Sequence, residues 1–437
     1  MRTYKLILIG LLPLMLAIAG CGGGGGGSAI ATSAGGSGGG QTITPSGSNV
    51  VTMTVDPGPN NNSVDIPYIT VTVCNPSNTS QCQTFDHIEV DTGSYGFRIL
   101  ADATDTSGNP YSLSLPAETD SSNNAIAECT QFVDGFSWGP VATADLEISG
   151  ESAAAVPVQV IGDPTQAGES SFPPIPAACS GTGTNEDTVS AFGANGILGV
   201  GPFAEDCGSG CATTVNNGYY YICPAGGSCQ DTALGTSEQV TNPVTYFTTD
   251  NNGVVIELPS ISSAGETSAS GSLVFGIDTE GDNALTAQNV LTADNNGDIT
   301  TQFDGQSLPY SVFDTGSNAY YFNDSAIPTC PSPNSSWFCP SSTLTLNPIN
   351  YGVNSSSQMT GTSSPVTIYV ANADSLFSNI GYSAFNDIAG SSGDQTAICG
   401  SSNCSFDFGL PFFFGRNVYV AIAGAPTSAG NGPFYAY

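Results

Sequence analysis

The chain has 437 residues, too long for one ordinary domain, and its 54 Gly and 28 Pro favour strands separated by many turns. Its 4 Lys+Arg stand against 37 Asp+Glu, a formal net charge of −33 that cannot neutralise phosphates and so excludes nucleic acid as a partner. It has one histidine, His87, and no lysine beyond Lys5. A Ser–Lys dyad and a two-histidine zinc motif are therefore excluded, and no phosphate-cradling P-loop occurs.

Arg2 and Lys5 precede an apolar run from Leu6 to Ala19, which leads into Gly20-Cys21. The ending Ile18-Ala19-Gly20-Cys21 resembles a bacterial lipobox. Residues 1–21 are thus expected to be a lipoprotein signal, with Cys21 lipidated; the run is short for a transmembrane helix. By the same resemblance, Gly22 implies delivery to the outer membrane of a Gram-negative bacterium. Residues 22–48 read as a Gly/Ser-rich tether. Without the signal, Arg98 and Arg416 face 37 acidic residues, a charge near −35 (2 − 37). Repulsion among them is expected to weaken the fold at neutral pH, to relax in acid and to be screened by salt. Cys21 apart, 12 of the 13 cysteines remain, an even number suited to disulfides in an oxidising compartment. Cys74/Cys82, Cys330/Cys339 and Cys399/Cys404 read as local staples. Cys207, Cys211, Cys223 and Cys229 read as disulfides rather than a zinc site, with no histidine nearby.

Beyond the tether, alternation over 49–55 and 66–73 predicts strands. The Cys74–Cys82 turn and residues 85–90 then form a hairpin that delivers Asp91-Thr92-Gly93-Ser94, and 95–100 continue as a strand. His87, four residues before Asp91, reads as an ordinary strand residue. Residues 129–148 predict another hairpin, 194–201 a hydrophobic–Gly segment, and 202–240 a disulfide-tied insertion carrying Tyr219-Tyr220-Tyr221. Val244–Thr249 and Val254–Leu258 predict a hairpin about Asp250–Gly253, and Gly271–Asp278 a further strand. Residues 298–303 and 308–313, about Asp304-Gly305, deliver a second copy of the motif, Asp314-Thr315-Gly316-Ser317. The chain closes on the apolar run 408–420. Arg416 within it needs a carboxylate or several carbonyls if it faces inward.

The paired Asp-Thr-Gly-Ser turns each precede a hydrophobic–Gly segment, with 105 residues from Asp91 to Gly196 and 95 from Asp314 to Gly409. With these motifs, residues 66–437 resemble, patchily, the two-lobed aspartic peptidases of the pepsin type. The resemblance implies a mostly β, bilobal fold with pseudo-two-fold related lobes, here 49–280 and 281–437. It implies that Asp91 and Asp314 form a catalytic dyad sharing one proton. Thr92 and Thr315 would brace the two loops, Gly93 and Gly316 would donate backbone N–H bonds, and Ser94 and Ser317 would orient the outer carboxylate oxygens. The 129–148 hairpin would be the flap over substrate. The family's flap tyrosine is missing, with Phe132 nearest and Trp138 another candidate, although such aromatics equally suit simple hairpin packing. Residues 408–420 resemble the family's terminal signature. The chain also looks like a family of uncharacterised bacterial lipoproteins. The implied protein is a lipid-anchored, extracytoplasmic aspartic endopeptidase, monomeric, acting on polypeptide without metal or cofactor. The alternative is a catalytically inactive pepsin-fold protein that binds peptide or glycan at the cell surface.

Overall fold

The computed structural model describes residues 47–163, 173–393 and 404–437. The signal with Cys21, all of the tether but its last two residues, and Cys399 lie outside the described residues. The chain is mostly β. Its first half supplies β1 Val50–Val55, β2 Pro67–Asn75, β3 Asn78–Asp91, β4 Tyr95–Leu100, β5 Ala125–Gln131, β6 Gly135–Ile148, β7 Glu151–Ile161, β8 Thr184–Asn185 and β9 Gly196–Val200. The insertion adds β10 Tyr220–Cys223 and β11 Gln230–Asp231, followed by β12 Gly253–Leu258 and β13 Ala269–Phe275. The second half begins with β14 Val290–Thr292, β15 Ile299–Phe303, β16 Gln306–Phe313 and β17 Tyr320–Tyr321. It continues through β18 Leu344–Leu346, β19 Ile349–Val353, β20 Met359–Pro365, β21 Ile368–Val370 and β22 Ala389–Gly390. It ends with β23 Asp407–Phe408, β24 Arg416–Ala421, β25 Pro426–Thr427, β26 Gly430–Asn431 and β27 Phe434–Ala436. Among the described residues no helix is long and apolar enough to cross a membrane.

One topology is written twice. In the first half β9 lies between β3, parallel to it, and β4, antiparallel, while β7 runs parallel to β4 on its other edge. In the second, β23 lies between parallel β16 and antiparallel β17, with β22 parallel to β17. The halves join through neighbouring strands β1-β13-β12-β24-β27-β14, three from each half. The join is antiparallel, with Gly253 opposite Ala421 and Leu258 opposite Arg416. One apolar core continues across it, from Val71, Phe85 and Val90 to Phe313, Phe408 and Phe412. All but Phe412, which lies in the 3₁₀ turn Leu410–Phe412, are residues that the period-2 pattern turns inward on their strands.

One expected element needs correcting. Val244–Thr249 is not a strand: Pro243–Tyr246 is a 3₁₀ turn, whose start is fixed by Asn242 Oδ1 accepting Val244 N at 3.1 Å with Pro243 next to the cap. β12 therefore pairs with β13 and β24 instead of forming a hairpin. The insertion is built as sheet: β10 pairs with β5, which places buried Tyr220 opposite Glu128. Disulfides Cys74–Cys82, Cys129–Cys179, Cys207–Cys211, Cys223–Cys229 and Cys330–Cys339 staple these segments.

Arg98 anchors the insertion. Fully buried, it donates Nη2 to Glu128 Oε1 at 2.6 Å and Nε to Glu128 Oε2 at 3.2 Å, and its Nη2 lies 3.3 Å from Asp206 Oδ2. Tyr220 donates to Asp206 Oδ1 at 2.6 Å and its oxygen accepts Val240 N at 2.8 Å, so the insertion closes on the guanidinium. Arg416 is less committed. It is half-buried, donates to Phe412 O, and stands 4.3 Å over the Phe412 ring, with no carboxylate partner among the described residues. Substituting Arg98→Met leaves two buried carboxyls without their cation and is expected to cost about 3–5 kcal/mol in urea unfolding. Arg416→Met loses a partly exposed cation–π contact and is expected to cost about 1 kcal/mol. Equal losses in the two variants would contradict this division of roles.

Candidate active site

β3 and β16 each end at an Asp-Thr-Gly turn, and the two turns meet. Thr92 N donates to Thr315 Oγ1 at 3.0 Å and Thr315 N donates to Thr92 Oγ1 at 3.0 Å. Each hydroxyl then donates to a main-chain carbonyl of the other half, Thr92 to Phe313 O at 2.8 Å and Thr315 to Val90 O at 2.6 Å. Every group in this exchange is buried, so each half satisfies polar atoms that the other would leave orphaned. Within each turn the glycine N–H donates to its own aspartate: Gly93 to Asp91 Oδ1 at 2.7 Å, Gly316 to Asp314 Oδ1 at 2.8 Å.

The exchange brings the carboxyls of Asp91 and Asp314 into hydrogen-bond contact. Their neighbours show how close the loops are. A Cβ on Gly93 would lie 2.6 Å from Asp314 Cγ, and one on Gly316 would lie 2.7 Å from Asp91 Oδ1. Burial first, then the charges of Asp91 and Asp407, push the Asp314 carboxyl well above the ordinary carboxylate range. Such a pair holds a proton that belongs to both members. Ser317 donates toward Asp314 Oδ2 at 3.0 Å and also meets Asp407 Oδ2 at 2.6 Å. Ser94 does not match it. Its hydroxyl is buried without a hydrogen-bond partner among the described residues and orients no carboxylate.

Other expected residues lie elsewhere. Phe132, at the tip of the β5–β6 hairpin, packs edge-on to Phe192 at 5.7 Å between ring centroids. Trp138 packs on Tyr221 at 5.2 Å, within a small core that includes Cys129, Cys179, Cys223 and Cys229. Both are committed to hairpin packing. The tip still approaches the second half, since the charge of Asp134 helps hold the Tyr321 phenol well above its ordinary range, after burial and Asp407. His87 adopts a positive φ of 48° and turns its ring to Asp86 and Asp56 rather than to Asp91. The counterpart of Gly409 is Gly199, not Gly196, because Gly199 pairs with Asp91 while Phe408 pairs with Phe313. A Cβ on Gly199 would lie 2.5 Å from Tyr95 N, and one on Gly409 2.1 Å from Ala319 O, so neither position admits a side chain. Tyr95 and Asp407 escaped the sequence reading. Tyr95 is buried against the site, and its phenol is raised well above its ordinary range by burial, then by Tyr435, Asp298, Asp91 and Asp314. Among the described residues, Cys330, Cys339 and Asp374 cluster closely enough to suit a metal, but the two sulfurs are already joined to each other.

A family model described as "Protein of unknown function (DUF3443)" matches residues 45–437. No curated protein matches. Among solved structures, an aspartic proteinase from Irpex lacteus is similar at 16% identity, covering 87% of this chain and 99% of that one, with a TM-score of 0.44. At that score the likeness adds no weight to the geometry.

Thr92→Val removes the acceptor of Thr315 N and the donor to Phe313 O. With two buried backbone groups orphaned, it is expected to cost about 2–4 kcal/mol in urea unfolding, and Thr92→Ser should recover most of it. Stability should also fall as pH rises. Asp65, Asp206 and Asp314 are raised well above the ordinary range, Asp407 to about 8, Asp298 to about 7 and Asp387 to about 6, each chiefly by burial. A carboxyl raised on folding binds its proton more tightly folded than unfolded. Its contribution is complete below the ordinary range near 4 and is lost as pH climbs through the folded value. His87, raised to about 9 by Asp56, changes in the same direction. Asp105 and Asp120, held low by Asn109 and Asn124, are surface groups whose contribution changes only at and below the ordinary range near 4, outside this window. The urea midpoint is expected to drop between pH 5 and pH 8. Salt should restore only the part due to repulsion, because burial is not screened. A midpoint unchanged at pH 8 would contradict the burial account.

Proposed function

This chain belongs to that family of unknown function, and for it we propose an activity: it is an aspartic endopeptidase that hydrolyses peptide bonds with a water activated by Asp91 and Asp314. The observation that carries the reading is the reciprocal Thr92–Thr315 bonding, which holds two buried carboxyls in contact, where both cannot ionise cheaply.

The chemistry follows from that shared proton. Asp314 is the protonated member, and Asp91, accepting Gly93 N–H, is the base. As the water oxygen attacks the peptide carbonyl carbon, Asp91 takes one of its protons while Asp314 gives its own to the carbonyl oxygen. The tetrahedral diol collapses as the C–N bond breaks. The nitrogen leaves with the proton held by Asp91, and Asp314 recovers its proton from a diol hydroxyl. No metal or cofactor is needed for any step. The substrate is a polypeptide, and the protein acts as a monomer at the outer membrane of a Gram-negative bacterium, anchored through lipid on Cys21.

A second reading is favoured by one observation, the packing of Phe132 and Trp138 into cores, which leaves the hairpin tip without an aromatic side chain for substrate. In that reading the protein binds peptide or glycan without cutting it. The deciding experiment incubates purified protein with a peptide library across pH 3–8, alongside Asp91→Asn and Asp314→Asn. Cleavage is expected to be faster at pH 4 than at pH 8, and to fall roughly 10²–10⁴-fold in either variant. Cleavage that peaks at pH 8 and survives both substitutions would end the peptidase reading, while peptide or glycan retention without turnover would favour the second.

A further inference from the structure

Around the motif the two halves share one strand register, and among the positions where their residues differ one lies beside the motif serine. The strand registers equate Gly199 with Gly409, Arg98 with Tyr321, and Ile197 with Asp407. Where the first half has an apolar side chain and a serine hydroxyl without a partner, the second has a buried carboxyl. Ser317 Oγ lies 2.6 Å from Asp407 Oδ2 and 3.0 Å from Asp314 Oδ2. A serine hydroxyl has one hydrogen, yet this one faces a carboxyl oxygen on each side. Were both carboxyls ionised, Ser317 could donate to only one, and the other would point a charged lone pair at a lone pair in a buried site. A proton on Asp407 resolves the conflict: Asp407 donates to Ser317, and Ser317 donates to Asp314. The proton between Asp314 and Asp91 is a separate one.

We infer that Asp407 is a positioning residue of the dyad, acting through Ser317 so that three buried carboxyls, Asp91, Asp314 and Asp407, share two protons rather than one. The inference rests on the peptidase reading of this site. The titratable groups facing Asp407 are Asp314 and Asp91 on the motif loops and Tyr321 on β17. Asp134 and Asp65 act beyond Tyr321, and Arg416 reaches the adjacent Tyr320. Burial pushes Asp407 up to about 8 against the pull of the Ser317 bond, with the charge of Asp91 adding to the rise. Below that value the relay keeps the Ser317 hydroxyl on Asp314. Above it Asp407 becomes an anion, and its charge opposes release of the remaining dyad proton.

Asp407→Asn keeps a donor to Ser317 but can never carry the charge. The basic limb of its kcat/KM–pH profile is expected to lie about one pH unit below that of the native protein, with the acid limb in place. Infrared difference spectra at about pH 6.5 should show one protonated carboxyl fewer in the variant. An unmoved basic limb in a protein that cleaves through Asp91 and Asp314, or an unchanged number of protonated carboxyls, overturns the inference. If the native protein cleaves no peptide, the peptidase reading fails and the infrared count alone decides the three-carboxyl arrangement. Should Asp407→Asn not fold, Asp407→Leu, which copies the Ile197 side of the repeat, is read in the same two ways.

Discussion

The reciprocal bonding of Thr92 and Thr315 is the constraint on which the rest depends. Two buried peptide N–H groups and two buried carbonyls find their partners only in the opposite half. Neither motif loop could therefore be dry and satisfied by itself. The same requirement explains why the halves share one antiparallel sheet and one core instead of resting against each other as separate units. It also places the carboxyls: each threonine is fixed to the opposite strand, so the aspartate before it has nowhere to point but toward its twin. Fold and site are one solution to one hydrogen-bonding problem.

Electrostatics here follow from a shortage of cations. A protein with lysines and arginines to spare can bury a carboxylate beside one. This chain does so at Arg98, where Glu128 and Asp206 converge on a single guanidinium. At four other buried positions, as at Asp206 itself, burial raises the carboxyl and favours its protonated form. Asp65, Asp298, Asp387 and Asp407 are all raised by loss of water before any neighbouring charge is considered. The surplus of negative charge is thus partly suppressed inside the protein. Mutual repulsion, which composition suggests as the source of acid preference, ranks behind desolvation at these positions.

Much of this was legible in the sequence. The two Asp-Thr-Gly-Ser turns, their leading strands and the hairpin staple Cys74–Cys82 follow from period-2 alternation and turn chemistry, which are local. What escaped was decided by contacts between distant segments. Val244–Thr249 has strand composition, but Asn242-Pro243 starts a turn that overrides it. Phe132 and Trp138 have the right kind of side chain for a flap, yet Phe192 and Tyr221 claim them. Arg98 reads as one polar residue in an apolar strand until Glu128 and Asp206 arrive from 30 and 108 residues away. Gly196 and Gly199 are equally plausible anchors on paper; only strand register selects the second.

The repeat also explains why the two motif aspartates need not be equivalent. Identical sequences, Asp-Thr-Gly-Ser in both copies, produce nearly identical main-chain geometry, and on that basis alone the shared proton would have no preferred side. The preference comes from outside the motif. At one register position the first half places Ile197 and the second Asp407, so one serine is left idle while the other is drawn into a chain of oxygens ending on Asp314. Burial, ahead of any neighbouring charge, then favours the proton on Asp314. The difference between two aspartates of identical motifs is thus set by the residues that break the symmetry, and here those residues lie on β9 and β23, the strands that thread beside the motif loops.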